Sequence, residues 1–462
     1  MFIGGVRRAR TTILVTSIAA VVAAGMQLAA GYFGCQGPLH SLVSDYLATP
    51  KSATVGWVAL GVAMVGLPNR WRIGALSSAV VLDVGFAVER LLRGGAFAVG
   101  NGPVIVLTAL VVLAWRRLVG LQRNNALHAI AYAILLILAS KVGDTWLRVT
   151  AAVRPTVFDK YAMLADHALG QPSWLVGRAV DAAGPVFSGV LHWVYIELPA
   201  AALVVAAYQL RNVSAAGWPQ HFLFRTFLLL GLVGPVIYIV FPLVGPEFAF
   251  SSAGQGFQVG DYWPHHLPPL DLSPRVIAFD DYTPRNCMPS MHTAWALAVF
   301  IHSRGGPRWL RWGGIFWLIG TIAATLGFGY HYGVDLVAGA LLCITAEAAL
   351  RQPVRGAAWS RTQIAAAGSA LLALLLVSCR YLAGLMARYP IVSGLLIVGT
   401  LVVFTAAFYV TFLGRPQFAR ESRGAQFARG GQFSRESRDG GPLRIGGSAG
   451  QPDRPQPDAL YG

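Results

Sequence analysis

I-V-S-G-L-L-I-V-G-T-L-V-V-F-T-A-A-F-Y-V-T-F-L, residues 391–413, carries no charged side chain from end to end. A helix rises about 1.5 Å per residue, so about 20 such residues cross a hydrocarbon core about 30 Å thick. This stretch therefore reads as a membrane span. The same ruler finds about twelve apolar stretches in the chain. They lie near 12–33, 54–69, 73–92, 96–115, 126–142, 185–209, 222–243, 290–303, 312–331, 333–350, 362–384 and 391–413. The run at 12–33 follows Arg7, Arg8 and Arg10. It is longer than the apolar core of a signal peptide, about 7–15 residues, and is expected to be a retained first helix.

Composition agrees. Of 462 residues, 55% are hydrophobic and 12% charged, about half the usual charged fraction of roughly 25%. A soluble enzyme, a disordered chain and a disulfide-rich secreted module are excluded. The formal charge is +16, from 36 basic and 20 acidic residues. With the N-terminus inside, 24 of the 36 basic residues fall on predicted cytoplasmic segments, mostly short loops. The positive-inside rule accounts for that asymmetry, and no nucleic-acid partner is needed.

The stretch 155–182 is too polar to span and is expected to form short amphipathic helices at the interface. The stretch 244–289 reads as a long outer loop. Residues 414–462 repeat Q-F-A-R and Q-F-S-R units rich in Gly, Arg and Ser. Such material cannot bury a core and is expected to be disordered. Of the four cysteines, Cys343 and Cys379 fall in apolar stretches. Cys35 and Cys287 fall on one predicted side, which leaves a bridge between them open. No Cys/His spacing suggests a metal site, and no cofactor motif is evident.

Two segments carry chemistry. The first is R-N-C-M-P-S-M-H-T-A-W, residues 285–295. Ser290 is a good N-cap for the eighth span. The free backbone N–H groups behind it suit a phosphate. Arg285 supplies a guanidinium for phosphate oxygens, and His292 a proton. The plainer reading is a capped helix with an interfacial histidine. The second segment is G-F-G-Y-H-Y-G-V-D-L-V-A-G, residues 327–339. His331 and Asp335 are four apart, so a helix starting at Tyr332–Gly333 would face them to one side. The carboxylate would then hold one imidazole nitrogen as N–H and leave the other as a nucleophile. The plainer reading is a satisfied buried pair. The arginine-based topology puts both histidines, Ser290 and Arg285 on the outer face, where they fit phosphoryl transfer on a lipid headgroup.

P-S-M-H at 289–292 and H-Y-G-V-D-L-V-A-G at 331–339 resemble the second and third signature motifs of the phosphatidic acid phosphatase type 2 superfamily. F-P-L-V-G-P at 241–246 and F-D-K-Y-A-M-L-A-D-H-A-L-G-Q-P-S at 158–173 are similar to elements of the branch that includes inositol phosphorylceramide synthase. The resemblance implies His331 as nucleophile, Asp335 as its orienter, His292 as acid and base, and Ser290 as a phosphate contact. It spans roughly 126–350. The superfamily's arginine six residues before the nucleophile is Thr325 here, and its Lys/Arg-Pro first motif is not found. Arg285 is a substitute chosen on position; Lys141, Arg148 and Arg154 are weaker candidates.

The expectation is an all-α polytopic membrane protein with both termini cytoplasmic, in a bacterial-type plasma membrane. Accessory helices occupy 1–125, a six-helix catalytic unit 126–350, two further spans 351–413 and the basic tail 414–462. The expected activity is phosphoryl-headgroup transfer from a phospholipid or lipid phosphate to an alcohol or lipid acceptor. It needs no metal or cofactor. The rival readings are a lipid phosphate phosphatase and a transporter. Elsewhere, His265 and His266 read as loop surface, Asp280 and Asp281 as solvated, and Asp83, Glu197 and Glu347 as pairing within the bundle.

Overall fold

The structure, a computed structural model, describes residues 2–251, 262–269, 271 and 283–414, with side chains from residue 17 onward and excepting 215–216. Asp280, Asp281 and the repetitive tail from residue 415 lie outside the described residues. Among the described residues all regular elements are helical. They run α1 (Phe2–Tyr32), α2 (Pro38–Leu47), α3 (Ala53–Val65), α4 (Asn69–Leu92), α5 (Asn101–Arg117), α6 (Gly120–Val153) and α7 (Asp159–Asp166). A 3₁₀ turn (His167–Leu169) leads into α8 (Pro172–Ile196), α9 (Leu198–Leu210), α10 (Val213–Ala216), α11 (Leu223–Val240) and α12 (Pro246–Phe250). The remainder are α13 (Met291–Ser303), α14 (Arg308–Gly327), α15 (Gly333–Leu350), α16 (Arg361–Tyr381), α17 (Ala383–Arg388) and α18 (Pro390–Phe412).

Among the described residues, six helices are long and apolar enough to cross a membrane: α6, α11, α14, α15, α16 and α18. The pair α8–α9, bent by 51°, makes a seventh if it is one span. Twelve crossings are thus not reached on length and composition. The other expected spans coincide with helices that are shorter, such as α3 and α13, or carry more charge, such as α4 with Arg70, Arg72, Asp83, Glu89 and Arg90.

The polar stretch 155–182 divides differently from the expectation. α7 covers its first part, and its second part is the front half of α8. Gly184, at φ 82°, breaks that helix ahead of Pro185. Proline clashes with a continuing helix and glycine tolerates the left-handed turn, so the chain changes direction there before the apolar half begins.

α15 is the central helix. Its apolar window is 72% buried within the protein, against 17% for α18, which faces outward. α13 packs along α14 and α15, α15 along α16, and α14 along α8. Small residues permit that closeness, as membrane helices require without a hydrophobic drive between them. A side chain at Gly339 of α15 would place Cβ 2.3 Å from the Ser290 carbonyl oxygen.

Candidate active site

Four separate stretches meet around the start of α15. The turn Phe241–Pro246 is the hub. Its Pro242 carbonyl accepts from Phe158 N–H (2.9 Å), and its Leu243 carbonyl from Cys287 N–H (3.2 Å). Asp159 of α7 accepts from Val244 N–H and Gly245 N–H, the latter at 2.9 Å. Gly245 sits at φ 99°, and a Cβ there would come 2.6 Å from the Tyr330 carbonyl. Only glycine satisfies both the angle and the approach. The two motifs also join directly, through Ser290 N–H to the Asp335 carbonyl at 3.0 Å.

Ser290 caps α13 as expected. Its hydroxyl oxygen accepts from Thr293 N–H (3.3 Å) and Thr293 Oγ1 (3.0 Å). His292 lies in the first turn of α13. Its ring stacks on Tyr195 with centroids 3.9 Å apart and planes 20° from parallel, and its edge meets Trp295. Tyr195, near the end of α8, also touches Tyr330, the neighbour of His331.

The His331–Asp335 relationship differs from the expected one. α15 begins at Gly333 with Tyr332 as N-cap, so His331 lies outside the helix. The four-residue spacing therefore does not bring the pair into a direct hydrogen bond, and Nδ1 stands 3.7 Å from Asp335 Oδ2. Instead Nδ1 is 2.7 Å from the Cys287 carbonyl oxygen. A carbonyl only accepts, so Nδ1 carries the proton and Nε2 the lone pair. Among the described residues Nε2 has no hydrogen-bond partner. Asp335 Oδ2 accepts from Tyr332 N–H and from the Cys287 thiol, each at 2.7 Å. Its Oδ1 is buried without a partner.

α7 supports the same turn. Asp166 Oδ1 accepts from Val334 N–H at 3.0 Å, and Asp159 Oδ1 from the Tyr332 hydroxyl at 2.8 Å. Burial pushes Asp159 up to about 7, against its bonds from Gly245, Tyr332 and Val244, while the nearby Asp335 charge adds to the rise. Burial likewise holds Asp166 well above the carboxylate range. The Cys287 thiol is raised by burial first and then by the Asp335 and Asp159 charges. Ser173 at the start of α8 donates to the His331 carbonyl (2.7 Å).

Arg285 is not presented at a surface. It is fully buried, and its Nη1 donates to the Thr283 carbonyl. Thr325 is buried and offers its carbonyl to Tyr330 N–H and His331 N–H, so no cation replaces the superfamily arginine at that position. Lys141 is committed to Asp45 (2.6 Å) and Arg154 to the Ile239 carbonyl (2.7 Å). No disulfide joins Cys35 and Cys287. His265 is exposed, with Nε2 3.9 Å from Asp181, and the His266 carbonyl accepts from Trp174.

At the far end of α13 and α15 lies a second polar cluster. Glu347 Oε1 accepts from Thr226 (2.6 Å) and His302 (2.8 Å), and Oε2 from His221 (3.0 Å) and Arg351 (2.5 Å). Asp83 pairs similarly within the accessory helices, accepting from Trp57, Gly100 and Gly102. The site roles of Cys287, Asp159 and Asp166 were legible only as members of quoted segments. Tyr195 had no sequence signal.

A family model described as PAP2 superfamily matches residues 163–349, taking in the second half of α7, the hub turn and both motifs. A second, described as a domain of unknown function (DUF5933), matches residues 10–149, ending inside α6. No curated protein and no solved structure matches the chain. The apolar helices suit an integral membrane protein, and its part from 163 to 349 is similar to the PAP2 superfamily, whose members are phosphatases or phosphotransferases.

Proposed function

We propose that the protein is a lipid phosphotransferase working through a phosphohistidine on His331. The observation that carries this is the fixed tautomer: the Cys287 carbonyl holds the Nδ1 proton, so Nε2 faces the site as a lone pair. In the first step Nε2 bonds to phosphorus as the bond to the leaving oxygen breaks, and His292 delivers the proton that oxygen needs. In the second, His292 takes a proton from the acceptor hydroxyl, whose oxygen attacks phosphorus and frees His331. Ser290 and the free N–H groups of α13 hold equatorial oxygens, with Arg285 adding positive charge from within the wall. Asp335 stabilises the imidazole as it becomes positive.

The acceptor is an alcohol rather than water in this reading. Two observations support it. Thr325 stands where a cation would neutralise a phosphomonoester, so a phosphodiester, with less charge, suits the site better. The Phe241–Pro246 turn and α7, both similar to the inositol phosphorylceramide synthase branch, bond directly to the two motif-bearing segments, Leu243 to Cys287 and Asp159 to Tyr332. We read the site as opening on the outer face of a bacterial-type plasma membrane, with both termini cytoplasmic and about twelve crossings once the shorter helices are counted.

Purified protein in lipid nanodiscs, given radiolabelled phosphatidylinositol or a lipid phosphate with and without an alcohol acceptor, tests the proposal. A new labelled lipid is expected. Release of free headgroup or phosphate alone moves the assignment to a phosphatase, and no turnover of either donor overturns it.

A further inference from the structure

Among the described residues, two groups of side chains bring three metal-ligating atoms within 4.8 Å of one another: His221, His302 and Glu347, and Cys287, His331 and Asp335. They differ in charge and in free lone pairs. At the first, Gln209 Oε1 accepts from Leu223 N–H, so its amide nitrogen faces His302 Nδ1 at 2.7 Å. That makes Nδ1 the acceptor and leaves Nε2 as N–H, donating to Glu347. All four acceptor positions of Glu347 are filled, and Arg351 supplies the countercharge. A divalent ion there would leave a net charge of about +2 in a buried place.

The second group has the opposite character. A divalent ion with one thiolate, one carboxylate and one neutral imidazole is neutral overall, the state burial favours. Asp335 Oδ1 is buried without a partner, and Asp159 adds a further carboxylate nearby. The His331 Nδ1–Asp335 Oδ2 separation of 3.7 Å is within a few tenths of the edge of a tetrahedral zinc shell, about 3.4 Å from its usual bond lengths, while Cys287 Sγ, 2.7 Å from Oδ2 as a thiol donor, opens to about 3.6 Å as a ligand. We propose that Cys287, His331 and Asp335 form a site for a thiophilic divalent cation of the zinc class, whose binding switches the active site off.

The switch follows from the tautomer and rests on His331 being the nucleophile. The ion forms bonds to Sγ, Nδ1 and the Asp335 carboxylate. The S–H bond breaks and its proton leaves to solvent. The Nδ1–H bond breaks too, and solvent returns a proton to Nε2, so one proton is released in all. Nε2 then has no lone pair with which to attack phosphorus. Thiolate is a soft ligand, so zinc and cadmium bind where magnesium does not.

The test titrates the full-length protein in nanodiscs with cadmium chloride and reads the ultraviolet sulfur-to-cadmium charge-transfer band. One equivalent is expected, displaced by zinc, unchanged in His221→Ala and absent in Cys287→Ser. X-ray absorption at the zinc edge of the wild-type protein gives an answer that needs no variant. One sulfur among nitrogen and oxygen neighbours is expected, and a shell without sulfur overturns the site. In the activity arm, micromolar zinc lowers turnover more than tenfold, EDTA restores it, and magnesium has no effect. Bound zinc with undiminished turnover overturns the switch. Absent turnover without zinc tells against the phosphotransfer reading instead, and the binding arms still decide the metal site.

Discussion

The backbone N–H of Ser290 donates to the carbonyl oxygen of Asp335 across 3.0 Å. This one bond locks the N-terminus of α13, which carries His292, to the first turn of α15, next to His331. Segments more than forty residues apart in sequence become one rigid floor. The bond needs the two helices almost in contact, and the missing side chain of Gly339 gives that room.

Gly339→Ala should therefore damage both stability and function. The new methyl group would meet the Ser290 carbonyl oxygen at 2.3 Å, a backbone atom that cannot swing aside. Overpacking of this kind costs about 1–3 kcal/mol. Thermal unfolding in detergent, with turnover measured alongside, checks this. Gly399→Ala, where nothing lies within 4 Å, is the control and should be neutral or slightly stabilising.

His331→Ala should remove nearly all turnover with membrane insertion intact. Asp335→Asn should be milder than the loss of an orienting carboxylate elsewhere, which reaches about 10⁴-fold through the wrong tautomer. Here the Cys287 carbonyl keeps the tautomer, so roughly 10²–10³-fold is expected from lost charge stabilisation. The double change His331→Ala/His292→Ala should be little worse than His331→Ala, because the groups act as a unit. Headgroup-transfer assays on inserted variants decide, and near-normal turnover in His331→Ala would eliminate the phosphohistidine.

Asp159 gives the protein a pH-dependent stability. Its carboxyl is raised from 3.8 to about 7 in the folded state, so the fold binds a proton that the unfolded chain releases. The contribution is complete below about 4 and is lost as pH rises through about 7. The melting temperature in detergent should fall between pH 5 and pH 8. In Asp159→Asn, which cannot ionise, that fall should be shallower. An equal slope in both proteins would show that another group is responsible.

Glu347→Ala should be among the most destabilising single changes in the core, by about 3–5 kcal/mol, because it strands Arg351 and three other donors. Glu347→Gln keeps two acceptor positions and should lose less. Chemical unfolding of the two variants in the same micelle ranks them.

The proposed orientation puts the turn at 304–307 inside the cell and the loop around His265 outside. Single-cysteine variants Gly305→Cys and His265→Cys, treated in intact cells with a membrane-impermeant maleimide, should label only at 265. Labelling at 305 would reverse the orientation and move the site to the cytoplasmic face.

Charge and apolar run length alone determined that this chain is helical and lives in a membrane, because residues 391–413 have no other stable solvent. They also marked the proposed site: P-S-M-H and H-Y-G-V-D are local patterns, and the serine cap forms from neighbours in sequence. The partner of His331 was not legible. Spacing suggested Asp335, and α15 starts where the sequence put it, but His331 lies just ahead of the helix, where helical spacing no longer sets which way a side chain faces. The true contact is a backbone carbonyl, which every residue carries and no pattern marks. The same holds for Tyr195 against His292 and for Gln209 and His221 around Glu347. Those contacts come from helices crossing, and the crossings are set by which small residues let two backbones approach, a property of the packed bundle rather than of any one segment.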